Sequence, residues 1–316
     1  MTAERGAVAA QLTHRLTSAG IPLDQTGLTP LSQGADNLVF AARTIDGRAL
    51  VVKTPLRQPA RYGTAAWAGR ALAREQIPAP QVLWCDEAAC VETLCPGVPL
   101  TGSADRLDTS GDTPHPLVIR AVEGAGALLR RAHDIAVRGF GKLNALGVGQ
   151  AGSLAESLLH GVGRASRSEE TSGLASAARR LLADNLWRLR DRGPRLLLGD
   201  CAARHIFADP ATGTVTGFID LESARGGDPH ADVAGFSVRE HPQVAQALLD
   251  GYFPDGPSVD QSWALTLHRA RISSFLLQFH THRDEHDVAQ RIADILSADL
   301  KAITTETPTP LPDAFT

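Results

Sequence analysis

The sequence has no long hydrophobic run, although 43% of its 316 residues are hydrophobic. No apolar stretch approaches the roughly 20 residues of a transmembrane helix, and the N-terminal run is too short for a signal peptide. Blocks of like charge are also missing, and 31 basic and 35 acidic residues give a formal net charge of -4. Nucleic acid and membranes are therefore not expected partners. We expect a soluble, cytoplasmic protein with one large domain or two lobes.

Cysteine is scarce, and its spacing argues against a zinc site. Cys85, Cys90 and Cys95 recur at five-residue intervals, and Cys201 stands alone. Structural zinc sites use much closer pairs of cysteines. We expect these cysteines to be small, buried or half-buried residues. A reducing compartment is the simplest assumption, since disulfides persist mainly in oxidising compartments.

The pattern changes from β-rich to helical along the chain. Residues 37–44 and 48–54 are β-rich and flank Asp46-Gly47, a dipeptide typical of hairpin turns. An alanine-rich helix is predicted over residues 63–75, and apolar residues recur on helical faces after residue 113. Residues 163–173 are predicted to be a surface loop, and residues 303–316 a loose tail.

Two acidic residues lie at the ends of apolar, β-rich runs. Asp200 follows Leu196–Gly199, Asp220 follows Gly217-Phe218-Ile219, and Asp209–Gly213 between them is a predicted turn. Two carboxylates brought together at strand ends suit phosphoryl transfer. One can orient or deprotonate a hydroxyl nucleophile while the other holds Mg²⁺ on a nucleotide.

This stretch resembles the catalytic and metal-binding loops of the aminoglycoside phosphotransferase family, which is similar to protein kinases. The family pattern is His-Gly-Asp, four residues, Asn, then Ile-Asp, and finally Gly-Asp-Pro. The matching positions here are Leu198-Gly199-Asp200, His205, Ile219-Asp220 and Gly227-Asp228-Pro229. Leu198 therefore replaces the leading His, and His205 replaces the metal-binding Asn.

The resemblance implies a bilobal, protein-kinase-like α+β fold. Residues 1–95 would form an N-terminal nucleotide-binding lobe with a small antiparallel β-sheet. Residues 96–316 would form a larger, mainly helical catalytic and substrate-binding lobe. The implied reaction moves the γ-phosphoryl group of ATP or GTP, with Mg²⁺, to a hydroxyl of a small molecule. The expected acceptor is an antibiotic, so that the activity would serve resistance or self-protection.

The resemblance also implies contacts for the nucleotide. Lys53, at the end of a predicted strand, would bind the phosphates, and Gly34 lies in a small-residue loop that could cover them. Backbone groups between Glu92 and Leu94 would meet the purine, and Arg204 could contact phosphate.

The implied catalytic residue is Asp200, and the implied metal ligands are Asp220 and His205. Imidazole is a poorer Mg²⁺ ligand than a carboxylate or amide oxygen. Three roles are therefore open to His205: donating to a phosphate, bonding to Asp200, or ligating a softer ion. His133, Asp228 and Asp232 are interpreted as structural.

A second departure concerns the partner of Lys53. The family carries a glutamate on the following helix, but no acid occurs between Lys53 and Glu75. Lys53 then pairs elsewhere or awaits the nucleotide, and pairing with Glu75 would need a shifted register. Together with Leu198 and His205, this leaves an alternative open, a pseudokinase-like module that binds nucleotide or ligand without turnover. A metabolite kinase of the same fold is a further alternative.

The charge pattern near the C-terminus bears on the acceptor. Residues 259–300 mix acids with several arginines, including Arg269 and Arg271. A cationic aminoglycoside calls for an acidic pocket. This balance favours a neutral or anionic acceptor, such as a nucleoside or sugar-acid antibiotic. The sequence does not distinguish ATP from GTP.

Overall fold

The computed structural model describes residues 2–33, 36–100, 113–159, 169–189 and 191–311. Strands dominate the N-terminal part and helices the C-terminal part, so the predicted α+β organisation is confirmed. The four cysteines are free thiols. No helix within the described ranges has both the length and the apolar composition needed to cross a bilayer.

The N-terminal strands form one antiparallel sheet in the order β1-β2-β3-β5-β4. They are β1 (Thr29–Gln33), β2 (Asn37–Arg43), β3 (Ala49–Pro55), β4 (Val82–Cys85) and β5 (Cys90–Thr93). β2 and β3 form the predicted hairpin, and Gly47 in its turn has φ +87°. Lys53 lies opposite Cys90, and Val51 lies opposite Glu92. Lys53 and Glu92 therefore project from the same face of the sheet.

Two helices flank this sheet, α1 (Thr2–Ser18) and α2 (Tyr62–Arg74). Leu12 and Leu16 of α1 pack with Phe40, Leu50 and Val52 in a core of their own. Three buried alanines of α2 and Leu72 belong instead to the large core that continues into the C-terminal part: Ala65, Ala68 and Ala71. α2 therefore connects the sheet to the elements that carry the predicted acids.

Helices form most of the C-terminal part. They are α3 (Pro116–Ala132), α4 (Leu154–Leu159), α5 (Glu169–Asn185), α6 (His230–Arg239), α7 (Pro242–Tyr252), α8 (Val259–Thr281) and α9 (His286–Thr304). Short strands lie between them: β6 (Val98–Pro99), β7 (Phe140–Leu143), β8 (Gly149–Ala151), β9 (Arg195–Leu197), β10 (Ile206–Ala208), β11 (Val215–Phe218) and β12 (Arg225–Gly227). They pair in the orders β8-β7-β12-β9 and β11-β10-β6. Asp200 follows β9 and Asp220 follows β11, so these two small sheets position both acids.

The structure corrects two expectations about loops. α5 already begins at Glu169, so the predicted loop 163–173 is helical at its end, and residues 163–168 lie outside the described residues. The tail is also not loose up to residue 311, because Arg269 donates to the carbonyl oxygens of Thr309 and Pro310 at 3.1 and 2.8 Å. A fully buried guanidinium needs such acceptors. Residues 312–316 lie outside the described residues.

Candidate active site

The loop before Asp200 is held in place by a buried acid. The backbone N–H groups of Leu198 and Gly199 donate to the Asp232 carboxylate at 2.6 and 3.0 Å. Gly199 has φ +82°, and a Cβ there would lie 2.0 Å from the carbonyl oxygen of Ser223. Only glycine fits this close approach. Asp232 and Gly199 thus fix the path of the chain into Asp200, and this contact supports the structural interpretation of Asp232.

Two arginines meet the Asp200 carboxylate. Arg204 Nη2 lies 2.9 Å from Oδ2, and Arg239 Nη2 lies 3.5 Å from Oδ1. Arg204 is half-exposed, so its ion pair with Asp200 can exchange with solvent or ligand. A contact of Arg204 with nucleotide phosphate remains a prediction.

Asp200, His205 and Asp220 converge on one point. Each offers a ligand atom, and these atoms all lie within 4.8 Å of one another. His205 Nε2 is 3.5 Å from Asp220 Oδ2, while its Nδ1 is 2.9 Å from the Asp200 carbonyl oxygen. The two carboxylates fit a hard cation such as Mg²⁺, and the imidazole nitrogen suits a softer one better.

The backbone at Asp220 is unusual. Asp220 has φ +62°, in the left-handed region, immediately before the 3₁₀ turn Leu221–Ser223. Such a conformation costs energy in a residue with a Cβ, although Asp tolerates it better than most. Strained residues of this kind cluster at functional sites. Here the strain turns the Asp220 side chain toward His205 and places Glu222 two residues further on.

Lys53 pairs with two glutamates that sequence reasoning did not assign to it. Its Nζ lies 3.0 Å from Glu92 Oε1 on β5 and 3.4 Å from Glu222 Oε1. Burial alone would lower the pKa of Lys53, but Glu92, then Glu222 and Asp220, together raise it above its usual value. Lys53 therefore remains a cation beside Asp220 without the helix glutamate of the family.

Glu222 also belongs to a network that joins the two parts of the chain. Asn37 Nδ2 donates to Glu222 Oε2 at 3.0 Å, and Tyr62 Oη donates to Asn37 Oδ1 at 2.7 Å. Burial raises the pKa of Glu222, an effect that the charge of Lys53 partly offsets. β2, α2 and β3 are thus all tied to the turn after Asp220.

The remaining predicted nucleotide contacts are at Glu92, Leu94 and Gly34. The backbone of Glu92 is paired in the sheet between β3 and β4, and the N–H of Leu94 donates to the Ala49 carbonyl at 3.3 Å. Purine contacts at these two residues remain predictions. Gly34 lies outside the described residues.

His133 and Asp228, both interpreted as structural, are buried. His133 Nδ1 is 2.7 Å from the Tyr252 hydroxyl, and its Nε2 is 3.3 Å from Asp232. Asp228 lies 2.6 Å from His230 Nδ1 and 3.2 Å from His268 Nε2. A cavity of about 470 Å³ borders His133, Asp228 and His230, but neither Asp200, Asp220 nor Lys53 lines it.

Three solved structures resemble this chain in fold. A ternary complex of a thermostable mutant of aminoglycoside phosphotransferase APH(4)-Ia with AMP-PNP and hygromycin B is 19% identical, with a TM-score of 0.72 and coverage of 94% of this chain and 98% of that one. Macrolide 2'-phosphotransferase MphH from Brachybacterium faecium is 18% identical, with a TM-score of 0.55 and coverage of 92% and 97%. Amicoumacin kinase hAmiN, in complex with AMP-PNP, Ca²⁺ and Ami, is 14% identical, with a TM-score of 0.64 and coverage of 98% and 98%.

The comparison with curated proteins gives no significant match. The solved structures show that the predicted bilobal, kinase-like fold is correct. A model of the phosphotransferase enzyme family, APH, matches residues 27–263. Because that match spans well over half of the chain, the chain belongs to the APH phosphotransferase enzyme family.

Proposed function

We propose that this protein is a small-molecule O-phosphotransferase that moves the γ-phosphoryl group of ATP or GTP to a hydroxyl of an antibiotic or similar natural product. The observation that carries the proposal is the convergence of Asp200, His205 and Asp220, whose ligand atoms lie within 4.8 Å of one another. Lys53 lies next to this cluster as a buried cation. Phosphoryl transfer needs this combination, since it depends on positioning and on neutralising charge.

Each residue has a separate role in the proposal. Lys53 binds nucleotide phosphate, and Glu92 and Glu222 hold its ammonium group in place. Asp220 and His205 hold a divalent cation, which supplies neutralisation of the phosphate charge when bound. Asp200 orients the acceptor hydroxyl and accepts its proton, provided that the acceptor displaces Arg204 from the carboxylate.

The division of labour between the lobes is part of the same proposal. Residues 1–95 bind the nucleotide, with Gly34, Glu92 and Leu94 as further contacts, and Arg204 of the C-terminal lobe contacts the phosphate. Residues 96–316 supply the catalytic acids and the acceptor site. The pairing of β6 with β10 supports a boundary near residue 96, since Val98 and Pro99 belong to the C-terminal sheets. We place the reaction in the cytoplasm.

The acceptor class rests on the structural neighbours and on charge. The three neighbours described above are phosphotransferases or kinases of antibiotics, with hygromycin B and amicoumacin bound in two of them. The arginines around Asp200 disfavour a cationic aminoglycoside. A nucleoside or sugar-acid antibiotic fits these charges better.

A second candidate is a module that binds nucleotide or ligand without turnover. One observation favours it, since both carboxylate oxygens of Asp200 face arginine nitrogens, at 2.9 and 3.5 Å. The presence of Lys53, Asp200 and Asp220 together favours the enzyme.

One experiment separates the two candidates. The full chain is incubated with Mg²⁺ and either ATP or GTP against a panel of hydroxylated antibiotics, and products are analysed by mass spectrometry. We expect one acceptor to gain a single phosphoryl group. Binding of nucleotide without transfer to any member of the panel would contradict the proposal and favour the binding module.

A further inference from the structure

Two arginines, Arg225 and Arg271, form no ion pair or hydrogen bond through the side chain with any described residue. The Nε atoms of Arg225 and Arg271 are buried and have no hydrogen-bond partner within the described residues. Neither side chain forms an ion pair with a residue that the structure describes. Arg204, Arg239 and Arg269, by contrast, each do. Both side chains are half-buried, and a guanidinium group that is partly withdrawn from water is normally paired, because an unpaired charge there is costly.

Arg225 lies on a strand beside the loop of Asp200, and Arg271 lies on a helix that packs on α6. Arg225 begins β12 and pairs with Leu197 of β9. Its Nε is 3.2 Å from the position that a Cβ on Gly199 would occupy. Arg271 lies on α8, and the adjacent Ile272 packs toward Gly235 of α6, the helix that ends at Arg239. The charge of Arg225 acts on Arg271, as expected for two guanidinium groups on neighbouring elements.

The acidic residues around the Asp200 loop already have hydrogen-bond or ion-pair partners. Asp232 accepts from the N–H groups of Leu198 and Gly199, and Glu240 accepts from Ala203 N–H at 2.8 Å. Asp200 faces Arg204 and Arg239. Burial lowers the pKa of Arg225, although the charges of Asp232 and Asp200 oppose the shift, and burial together with the charge of Arg225 lowers the pKa of Arg271 to about 10. Both groups still carry their charge near neutral pH.

We propose that Arg225 and Arg271 form a subsite for an oxyanion carried by the acceptor, a carboxylate, sulfate or phosphate close to the hydroxyl that is phosphorylated. This inference rests on the proposed function and specifies its acceptor class. The planar fork of a guanidinium matches two oxygens of such a group, and an anion supplies the missing counter-charge. A cationic acceptor would be repelled at the same place.

The first test uses sulfate as the probe and measures binding without turnover. Thermal unfolding of the full chain is followed with saturating Mg²⁺ and AMP-PNP, so that the nucleotide phosphates already occupy their site. Sulfate is compared with chloride at equal ionic strength. We expect sulfate to raise the Tm of the wild type in a saturable way. Equal curves for sulfate and chloride would overturn the inference.

Variants separate an anion subsite from a structural role. Arg271→Met should abolish the sulfate effect and should raise the Tm without anion by about 2 °C or more, since it removes an unpaired, half-buried charge. A lower Tm for Arg271→Met without anion indicates a structural role and overturns the inference. The matched control is Arg180→Met on the exposed face of α5, which should keep the sulfate effect. If Arg271→Met does not fold, Arg271→Lys is measured in its place. Arg271→Lys should weaken sulfate binding at least threefold, because an ammonium group lacks the planar fork of donors of a guanidinium group.

The second test uses turnover and separates this inference from the proposed function. An accepted hydroxylated acid is compared with its primary amide. We expect kcat/KM to be at least tenfold higher for the acid in the wild type, and less than threefold higher in Arg271→Met. Equal values for acid and amide in the wild type overturn the subsite and leave the phosphotransferase intact. A sulfate effect without transfer to any acceptor supports the subsite and overturns the proposed function.

Discussion

At the scale of single residues, the buried charge of Lys53 has partners that the family pattern does not predict. Lys53 is neutralised by Glu92 from the neighbouring strand and by Glu222 from the turn after Asp220. Two glutamates thus replace the one helix glutamate expected from the family pattern. Both carboxylates are largely buried, so their removal leaves a cation with incomplete compensation.

Replacing Glu92 should weaken both folding and nucleotide binding. Glu92→Gln should lower the free energy of unfolding by about 1–3 kcal/mol and raise the KM for nucleotide about tenfold, because Lys53 loses its nearer carboxylate. Chemical denaturation and initial rates measure these effects. Glu87→Gln, on the exposed turn of the same sheet, is the control and should match the wild type in both. A normal KM for Glu92→Gln would remove Glu92 from the positioning of Lys53.

His205 should determine the choice of metal. His205→Asn exchanges an imidazole nitrogen for an amide oxygen, so it should lower the Mg²⁺ concentration for half-maximal turnover several-fold and reduce the relative activity with Mn²⁺. Titration of both metals against initial rate checks this. Unchanged metal dependence would show that His205 only supports the Asp200 backbone through its contact with the carbonyl oxygen.

At the scale of elements, close helix packing depends on small residues. α3 and α7 approach each other at Gly126 and Gly251. A Cβ on Gly251 would lie 1.9 Å from the carbonyl oxygen of Glu123, and one on Gly126 would lie 2.4 Å from that of Leu248. Backbone atoms of the facing helix occupy these positions. A Cβ at either glycine could therefore fit only if α3 and α7 moved apart.

Gly251→Ala should therefore be strongly destabilising. We expect a loss of about 2–4 kcal/mol, because the added methyl group overlaps backbone atoms that cannot move independently. Gly173→Ala in α5 is the matched control, since its Cβ would meet nothing within 4 Å. It should be neutral or stabilising by up to about 1 kcal/mol. Equal Tm values for the two variants would contradict the close approach of α3 and α7.

The elements also show which parts of the site could be predicted from the sequence. Asp200, Asp220 and Lys53 were identifiable because each ends a β-rich run, a pattern that is local in the chain. The sequence predicts only a backbone role for Glu92. Its side-chain contact with Lys53 depends on the register between β3 and β5, which the sequence pattern does not show. The role of Glu222 was missed, although its position two residues after Asp220 offered a signal. Arg239 meets Asp200 only through tertiary packing.

At the scale of the whole molecule, stability depends on buried ionisable groups that link helices. His268 on α8 is fully buried, and its Nε2 lies 3.2 Å from the Asp228 carboxylate before α6. Burial lowers the pKa of His268 below the usual 6.5, although Asp228 opposes the shift. The folded form thus keeps the imidazole neutral at a pH where the unfolded chain binds a proton.

Acidification should therefore weaken the fold through His268. Its contribution is complete above pH 6.5 and is lost as the pH falls through 6.5 toward the lowered folded-state pKa. His268→Gln cannot be protonated, so the slope of its unfolding free energy against pH should be smaller by up to about 1.4 kcal/mol per pH unit in this range. Denaturation at several pH values measures this. The exposed His14→Gln should keep the wild-type slope, and an unchanged slope in His268→Gln would contradict the account.

The central claim is that Asp200 acts on an acceptor hydroxyl next to a nucleotide held by Lys53 and Asp220. Its most direct test is phosphoryl transfer by Asp200→Asn, measured beside calorimetric binding of Mg²⁺ and AMP-PNP. The account predicts nucleotide affinity within about threefold of the wild type and a loss of kcat of at least about 100-fold. Transfer by Asp200→Asn at the wild-type rate would contradict it.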